Sequence, residues 1–185
     1  RKISNSGVIN TFAGNGTPGF SGNNGLAINA QLNYPRDLAF DSFGNLFIVE
    51  QYSHCVRKVS GGIITTVAGI CNVGLSYSGD NVVATATRLN SPRGVAIMSN
   101  GEIVIADTDN HRIRKVATDG TINTIVGDGV AGFSGGSGIA IDSKVSPTSV
   151  AVTENGEIIL GDATTQKIRK VDKNGIITAV AGNGG

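Results

Sequence analysis

The sequence predicts an all-β fold: a β-propeller of four-stranded antiparallel blades, with three complete blades and a partial one at the N-terminus. Three observations carry this. First, four short runs rich in β-branched residues lie between Leu89 and Gly127, roughly Gly94 to Met98, Glu102 to Asp107, His111 to Ala117 and Thr121 to Val126. Second, Asn100-Gly101 and Asp119-Gly120 separate neighbouring runs, and such dipeptides tolerate the positive φ of a tight hairpin turn. Third, the unit repeats: Pro35, Pro92 and Pro147 recur at spacings of 57 and 55, Arg57, Arg114 and Arg169 recur at the same two spacings, and Gly44, Gly101 and Gly156 keep register.

The units follow one another along one structural domain. Residues 1–14 are a partial blade, because RKI followed by GVINTFAG aligns with RKV followed by TINTIVG and so gives the end of a third strand and a fourth. Residues 15–69, 70–127 and 128–185 each join a linker to a complete blade. The linkers, Gly14 to Tyr34, Gly69 to Ser91 and Gly127 to Ser146, are longer than ordinary hairpin loops, and Ala84 to Leu89 suits one helical turn. Each linker has to travel from a fourth strand at the rim to a first strand at the hub, so the linkers cover one face of the disc. Three blades and a fragment do not close a ring. The expectation is therefore a piece of a longer propeller, or self-association into a ring or filament through the exposed end faces.

Composition agrees with thin sheets and turns: 185 residues, 39% hydrophobic, 27 Gly, six Phe, three Tyr and no Trp. The core is expected to be Val, Ile and Ala. A net charge of +1 gives no bulk attraction to nucleic acid or anionic membrane, and no apolar run reaches the ~20 residues that span a bilayer. No signal-like segment is present, and since the sequence begins at Arg1 and not Met, the compartment is left open.

The runs PRGVA, ADTDNHRIRKV and TINTIVG, with the copies PRDLAF, VEQYSHCVRKV, GIITTVAG and PTSVAV, GDATTQKIRKV, GIITAVAG, resemble NHL repeats over essentially the whole chain. The long linker containing SGD and ATATRLNSP resembles the extended repeats of teneurin-like and bacterial secreted or cell-surface proteins. That resemblance implies an extracellular or cell-surface setting.

Several motifs imitate chemistry. Gly14, Gly16 and Gly19, and again Gly127, Gly129 and Gly132, match the dinucleotide fingerprint GxGxxG, yet no helix follows to receive a pyrophosphate, so a repeated linker turn is expected. Gly132-Phe133-Ser134-Gly135-Gly136 matches the nucleophile elbow GxSxG, but the equivalent Gly19-Phe20-Ser21-Gly22 ends in Asn23, which marks a coincidence of the repeat. His54 and His111 occupy one repeat position, each four residues after an acid, Glu50 and Asp107; the third copy has Asp162 and Gln166. Because Gln cannot titrate, the three pairs are expected to be structural locks across a turn, acid opposite imidazole or amide, with no catalytic residue among them. Asp80 is the one candidate oxygen ligand for Ca²⁺, in a position where the copies read SGNN and SGGS, and no metal or other cofactor is expected. Cys55 and Cys71 are expected to be free thiols: with Cys55 opposite about Ala68, Cys71 falls roughly 10 Å beyond if the linker runs straight on. Asn15-Gly16-Thr17 is a glycosylation sequon, weakened by Pro18.

Arg1, Lys2, Arg57, Lys58, Arg112, Arg114, Lys115, Lys167, Arg169 and Lys170 all lie in third strands, and some NHL propellers bind RNA through a basic face. Alternation along a strand keeps these residues from converging on one face, so nucleic acid is not the expected partner. The expected role is a non-enzymatic scaffold for a protein or glycan partner, or for copies of itself. The alternative is a metal-dependent hydrolase or lyase like the six-bladed lactonases and the peptide-amidating lyase, although the first-strand ends here, Asp41, Met98 and Thr153, make a poor set of channel-lining ligands. RNA binding is the second alternative.

Overall fold

The computed structural model of the chain describes residues 1–73, 76–134 and 136–183. It is all-β and antiparallel. An N-terminal hairpin pairs β1 (Lys2–Ile3) with β2 (Ile9–Asn10). Three sheets follow. The first contains β3 (Gly25–Leu26), β4 (Pro35–Phe40), β5 (Leu46–Glu50), β6 (Cys55–Ser60) and β7 (Ile63–Ala68) in the spatial order β3-β7-β6-β5-β4. The second contains β8 (Val82–Val83), β9 (Gly94–Ile97), β10 (Ile103–Asp107), β11 (Arg112–Val116) and β12 (Thr121–Val126), in the order β8-β12-β11-β10-β9. The third repeats that order with β13 (Ser137–Ile139), β14 (Pro147–Val152), β15 (Ile158–Asp162), β16 (Lys167–Val171) and β17 (Ile176–Ala181).

Four-stranded units were expected, and each sheet has five. The fifth is a strand of two or three residues from the linker, which adds to the outer edge of the fourth strand: Leu26 faces Ile63, Val83 faces Thr121 and Ile139 faces Ile176. It covers an edge that would otherwise present unpaired backbone groups. A 3-10 turn follows it at once each time, Ala27–Asn29, Ala84–Ala86 and Ala140–Asp142, and its leading alanine is buried.

The sheets pack face to face. Phe47, Val49, Val56 and Ala68 of the first meet Val95, Ile103, Ile105, Val116 and Ile122 of the second. Ala96, Val104, Ala106, Ile113 and Val126 then meet Val150, Ile158, Leu160, Val171 and Ile177 of the third. The apolar set is Val, Ile and Ala with few larger residues, as the composition suggests. The first strands β4, β9 and β14 lie side by side. Two devices at one repeat position set their approach: Asp37 Oδ2 accepts a hydrogen bond from Val95 N at 2.9 Å, and Gly94 has no Cβ, which would stand 3.0 Å from Ser149 Cα.

The cysteines correct an expectation: Cys55 and Cys71 form a disulfide, with their Cα atoms 5.2 Å apart. The linker does not run straight on from β7. Gly69, at φ 89°, turns the chain back, and a Cβ there would meet Cys55 Cα at 2.8 Å, so only glycine permits the approach. Asn72 N then donates to Ser53 O at 2.8 Å, which holds the doubled-back segment beside β6.

Candidate functional site

The chemistry-bearing residues of every repeat gather where the linker crosses its sheet. The third-strand arginines Arg57, Arg114 and Arg169 are among the most deeply buried side chains of the molecule. Each meets the acid that ends the second strand: Arg57 Nη1 to Glu50 Oε1 at 3.4 Å, Arg114 Nη1 to Asp107 Oδ2 at 3.5 Å and Arg169 Nη1 to Asp162 Oδ2 at 3.3 Å. The register explains why. Ile48, Ile105 and Leu160 lie opposite the arginines, and the acid two residues farther along sits diagonally across the same face.

Burying ion pairs costs free energy unless their remaining donors and acceptors are satisfied, and the linker supplies part of the partners, while Nε of each arginine and Nη1 of Arg114 make no hydrogen bond among the described residues. Arg57 donates to Gln31 O and Ser21 O at 3.2 and 3.1 Å; Arg114 donates to Gly79 O at 2.7 Å; Arg169 donates to Lys144 O at 3.0 Å. The second oxygen of each acid accepts a backbone N–H from the linker's far end, from Asn33 at 2.9 Å, Asn90 at 2.7 Å and Ser146 at 3.1 Å. An aromatic ring lies over each guanidinium, Phe20 at 4.8 Å, Tyr77 at 4.9 Å and Phe133 at 5.3 Å. Burial pushes the carboxyl of Glu50 up and that of Asp107 up to about 6, against the pull of the linker amides and the arginines.

These contacts rearrange the expected turn pairs. Glu50, Asp107 and Asp162 bond to arginine and linker, not to His54, His111 and Gln166. The turn between second and third strands is four residues long, so Glu50 faces Cys55, Asp107 faces Arg112 and Asp162 faces Lys167, while the His or Gln closes the turn in the left-handed region at φ 56°, 53° and 52°. His54 is used differently: its Nδ1 accepts Ser91 N at 2.9 Å across the seam to the next linker. His111 Nδ1 has no hydrogen-bond partner among the described residues, and the end of the third linker lacks one residue, with Ser146 standing directly before Pro147 where Asn90 is followed by Ser91.

The other motifs have structural uses. Ser21, Ser78 and Ser134 each accept a backbone N–H ten residues on, from Gln31 at 3.2 Å, Arg88 at 2.7 Å and Lys144 at 3.1 Å, so the serine of the apparent elbow staples its linker; Gly135 lies outside the described residues. The glycines of the apparent dinucleotide loop are linker turns, with Gly14 and Gly127 donating to Ala27 O and Ala140 O at 2.9 Å. Asp80, the calcium candidate, contacts Arg114 at 3.1 Å and accepts both the amide and hydroxyl of Thr124. Burial raises its pKa, but Tyr77, Thr124 and Arg114 bring it below the usual carboxylate value. Its counterpart Asn23 accepts the hydroxyl of Thr66 at 3.3 Å, so the position is part of the same linker clamp. Among the described residues no three His, Cys, Asp or Glu come together as a metal centre would require. Asp41 caps the turn after β4, accepting the amides of Phe43 and Asn45, and Thr153 Oγ1 accepts Glu157 N.

The Arg-Lys pairs divide between two environments. Arg57, Arg114 and Arg169 are buried in the clamps, whereas Lys58, Lys115 and Lys170 point to the opposite face and pair with Asp41, Glu102 and Glu157 at 3.6, 3.0 and 2.9 Å. Six of the ten third-strand cations are thereby engaged with acids, which leaves no continuous basic band. At the first sheet Tyr34 of the linker and Tyr52 of the turn stack with ring centroids 4.5 Å apart, each about half exposed. Sequence reasoning had not singled out Phe20, Tyr77 and Phe133, although an aromatic-Ser-Gly triplet stands at the same place in all three linkers.

The profile of the NHL repeat matches residues 89–116. Teneurin-1 of Mus musculus is 30% identical over 94% of this chain, and the chain spans 7% of that relative's length. Among solved structures, a protein of unknown function from Bacteroides thetaiotaomicron superposes with a TM-score of 0.63 at 18% identity, over 77% of this chain and 34% of that one. A gluconolactonase from Xanthomonas campestris superposes with a TM-score of 0.59 at 15% identity, over 82% and 48%. At these identities the structural likeness concerns the fold.

Proposed function

The chain is built of NHL repeats, and from that premise we propose that it is a non-enzymatic β-propeller scaffold, its sheets serving as blades that hold the linkers as a rigid surface for a protein or glycan partner. The observation that carries this reading is the clamp found three times: Arg57, Arg114 and Arg169 with Glu50, Asp107 and Asp162 use the buried charge of each repeat to fix a linker. A surface fixed in advance loses less conformational entropy on binding. The exposed Tyr34 and Tyr52 supply the amphipathic, low-entropy contact area that binding surfaces favour. The Cys55–Cys71 disulfide fits an oxidising compartment, in keeping with an extracellular or cell-surface setting.

The enzymatic alternative draws on the likeness to the gluconolactonase, and RNA binding on the repeated Arg-Lys pairs. Bound-metal analysis of the purified chain together with an RNA titration at increasing salt separates the three. The scaffold predicts no stoichiometric metal and no RNA affinity. Stoichiometric Ca²⁺ or Zn²⁺ would favour the lactonase-like reading, and RNA affinity that falls steeply with salt would favour the nucleic-acid one.

A further inference from the structure

Asn15-Gly16-Thr17 is the one place in the sequence where an Asn stands two positions before a Ser or Thr with no Pro between them. It lies in the first linker, at a backbone position that every repeat fixes alike: the N–H of Asn15 donates to Ala30 O at 2.8 Å, as those of Ile70 and Asp128 donate to Thr87 O and Ser143 O at 2.9 and 3.0 Å. The side chain is fixed as well. Asn15 Oδ1 accepts the N–H of Thr17 at 2.9 Å, and Asp128 Oδ1 accepts that of Val130 at 2.8 Å. Asn15 and Thr17 are exposed, and so are Asp128 and Val130, whose linker follows a complete sheet. Exposure at this position is therefore a property of the repeat. The turn needs only an acceptor oxygen, which Asp128 supplies as well as Asn15 does. What Asn15 adds is an amide nitrogen.

That nitrogen carries two hydrogens and commits one of them, since Nδ2 donates to Asn29 O at 3.3 Å. We infer that Asn15 is a site of N-glycosylation, accepting an oligosaccharide from a lipid pyrophosphate-linked donor as the chain passes through an oxidising secretory compartment. In that transfer Nδ2 loses one proton and bonds to the anomeric carbon of the sugar; the bond from that carbon to the pyrophosphate oxygen breaks, and the pyrophosphate leaves with the electron pair. The second hydrogen stays on the nitrogen. The bond to Asn29 O and the bond from Thr17 N both survive, so the folded linker carries the sugar without rearrangement. An independent observation agrees on the compartment: the Cys55–Cys71 disulfide forms under the oxidising conditions of the secretory route. Pro18 lowers the occupancy without forbidding it, because the position closed to Pro is the middle one, and here that is Gly16. The inference rests on the extracellular setting proposed above and is indifferent to the nature of the partner.

The test passes the full chain through the secretory pathway of a eukaryotic cell and treats the product with peptide N-glycosidase, which removes the sugar and leaves Asp at position 15. The secreted chain should lose mass on treatment, with the sugar mapped by peptide mass spectrometry to Asn15. Asn15→Asp, which installs the residue of the third linker, should carry no sugar and melt with the treated chain, to which it is chemically identical. Thr17→Ala should lose the sugar, and Pro18→Ala should raise the occupied fraction. A secreted, disulfide-bonded chain with Asn15 unmodified would overturn the inference. So would a glycosylated chain that melts below the treated one, because the folded linker would then resist the sugar. Free thiols at Cys55 and Cys71 in the same product would remove the oxidising setting and the inference with it. The two failures are distinguishable, since one is read at Asn15 and the other by thiol titration.

Discussion

His54 Nδ1 accepts the backbone N–H of Ser91 at 2.9 Å, a bond that joins the turn of the first sheet to the linker entering the second. Ser91 sits at φ 47°, a region that a non-glycine residue adopts at a cost, and the imidazole is one of the contacts that hold it there. Only neutral imidazole accepts at Nδ1. Burial lowers the pKa of His54 below 6.5, with Asp109 pulling weakly in the other direction.

That depression sets the sign of a pH effect. Between the folded pKa and 6.5 the unfolded chain binds more protons, so the contribution of His54 is complete above 6.5 and is lost as pH falls below it. Asp107, raised to about 6, acts oppositely, since the folded state takes up its proton first as pH falls. The His54 effect is therefore read as a difference: His54→Gln, which keeps an acceptor without titrating, should gain on the wild type in denaturation midpoint as pH drops from about 7 to 5. A difference that stays constant over that range would refute the assignment.

His111 tests the backbone alone. Its Nδ1 lacks a partner among the described residues and its φ is 53°, so its conformation matters more than its imidazole. His111→Gln and His111→Asn should be mild, whereas the β-branched His111→Val should cost about 1 to 2 kcal/mol in a left-handed position. Equal denaturation midpoints for the Asn and Val variants would show that the turn does not impose this conformation.

Strand positions and the repeat period were legible because alternation and turn dipeptides mark every repeat; β9 and β12 begin where the sequence places them, at Gly94 and Thr121. The clamp was legible only in part. Reading the acids against His54 and His111 assumed that strands pair right up to the turn, but a left-handed closing residue takes each imidazole out of the ladder and leaves the acid diagonal to arginine. The fifth strands, β3, β8 and β13, are too short to show a period. The disulfide depended on a reversal at Gly69, and its signal was the glycine that recurs there in every copy, Gly14, Gly127 and Gly182, all at positive φ.

The clamps should differ in their tolerance of losing the acid. Arg169 has Asp162 as its one carboxylate partner among the described residues, while Arg114 has both Asp107 and Asp80. Asp162→Asn leaves a buried guanidinium uncompensated and should cost about 3 to 5 kcal/mol. Asp107→Asn should cost less, because Asp80 remains. Removing both acids of the second clamp should cost more than the sum of the single changes, since each compensates for the other. Additive losses, or a larger loss for Asp107→Asn than for Asp162→Asn, would mean that Asp80 is not part of the clamp.

The disulfide and an arginine occupy the same repeat position, and comparing them predicts how much the covalent link contributes. At the start of the third strand stand Cys55 and Arg112. Arg112 Nη2 donates to Asp128 O at 3.1 Å, and its guanidinium lies so close to Gly129 that a Cβ there would collide with it, so it fastens the following linker where Cys55 fastens Cys71. The disulfide closes a loop with a sequence separation of 16, for which the entropic constraint on the unfolded chain is about 3 kcal/mol. A hydrogen bond to an exposed carbonyl contributes about 1 kcal/mol. Cys71→Ser should therefore lower stability by about 2 to 4 kcal/mol, and Arg112→Ala by roughly 1 kcal/mol. The control is a reducing agent, which should lower the wild-type midpoint to near that of Cys71→Ser and leave the variant unchanged. A wild-type midpoint indifferent to reductant, with thiol titration confirming that the bond has opened, would show that Gly69 and the Asn72 to Ser53 hydrogen bond hold the doubled-back linker without covalent help.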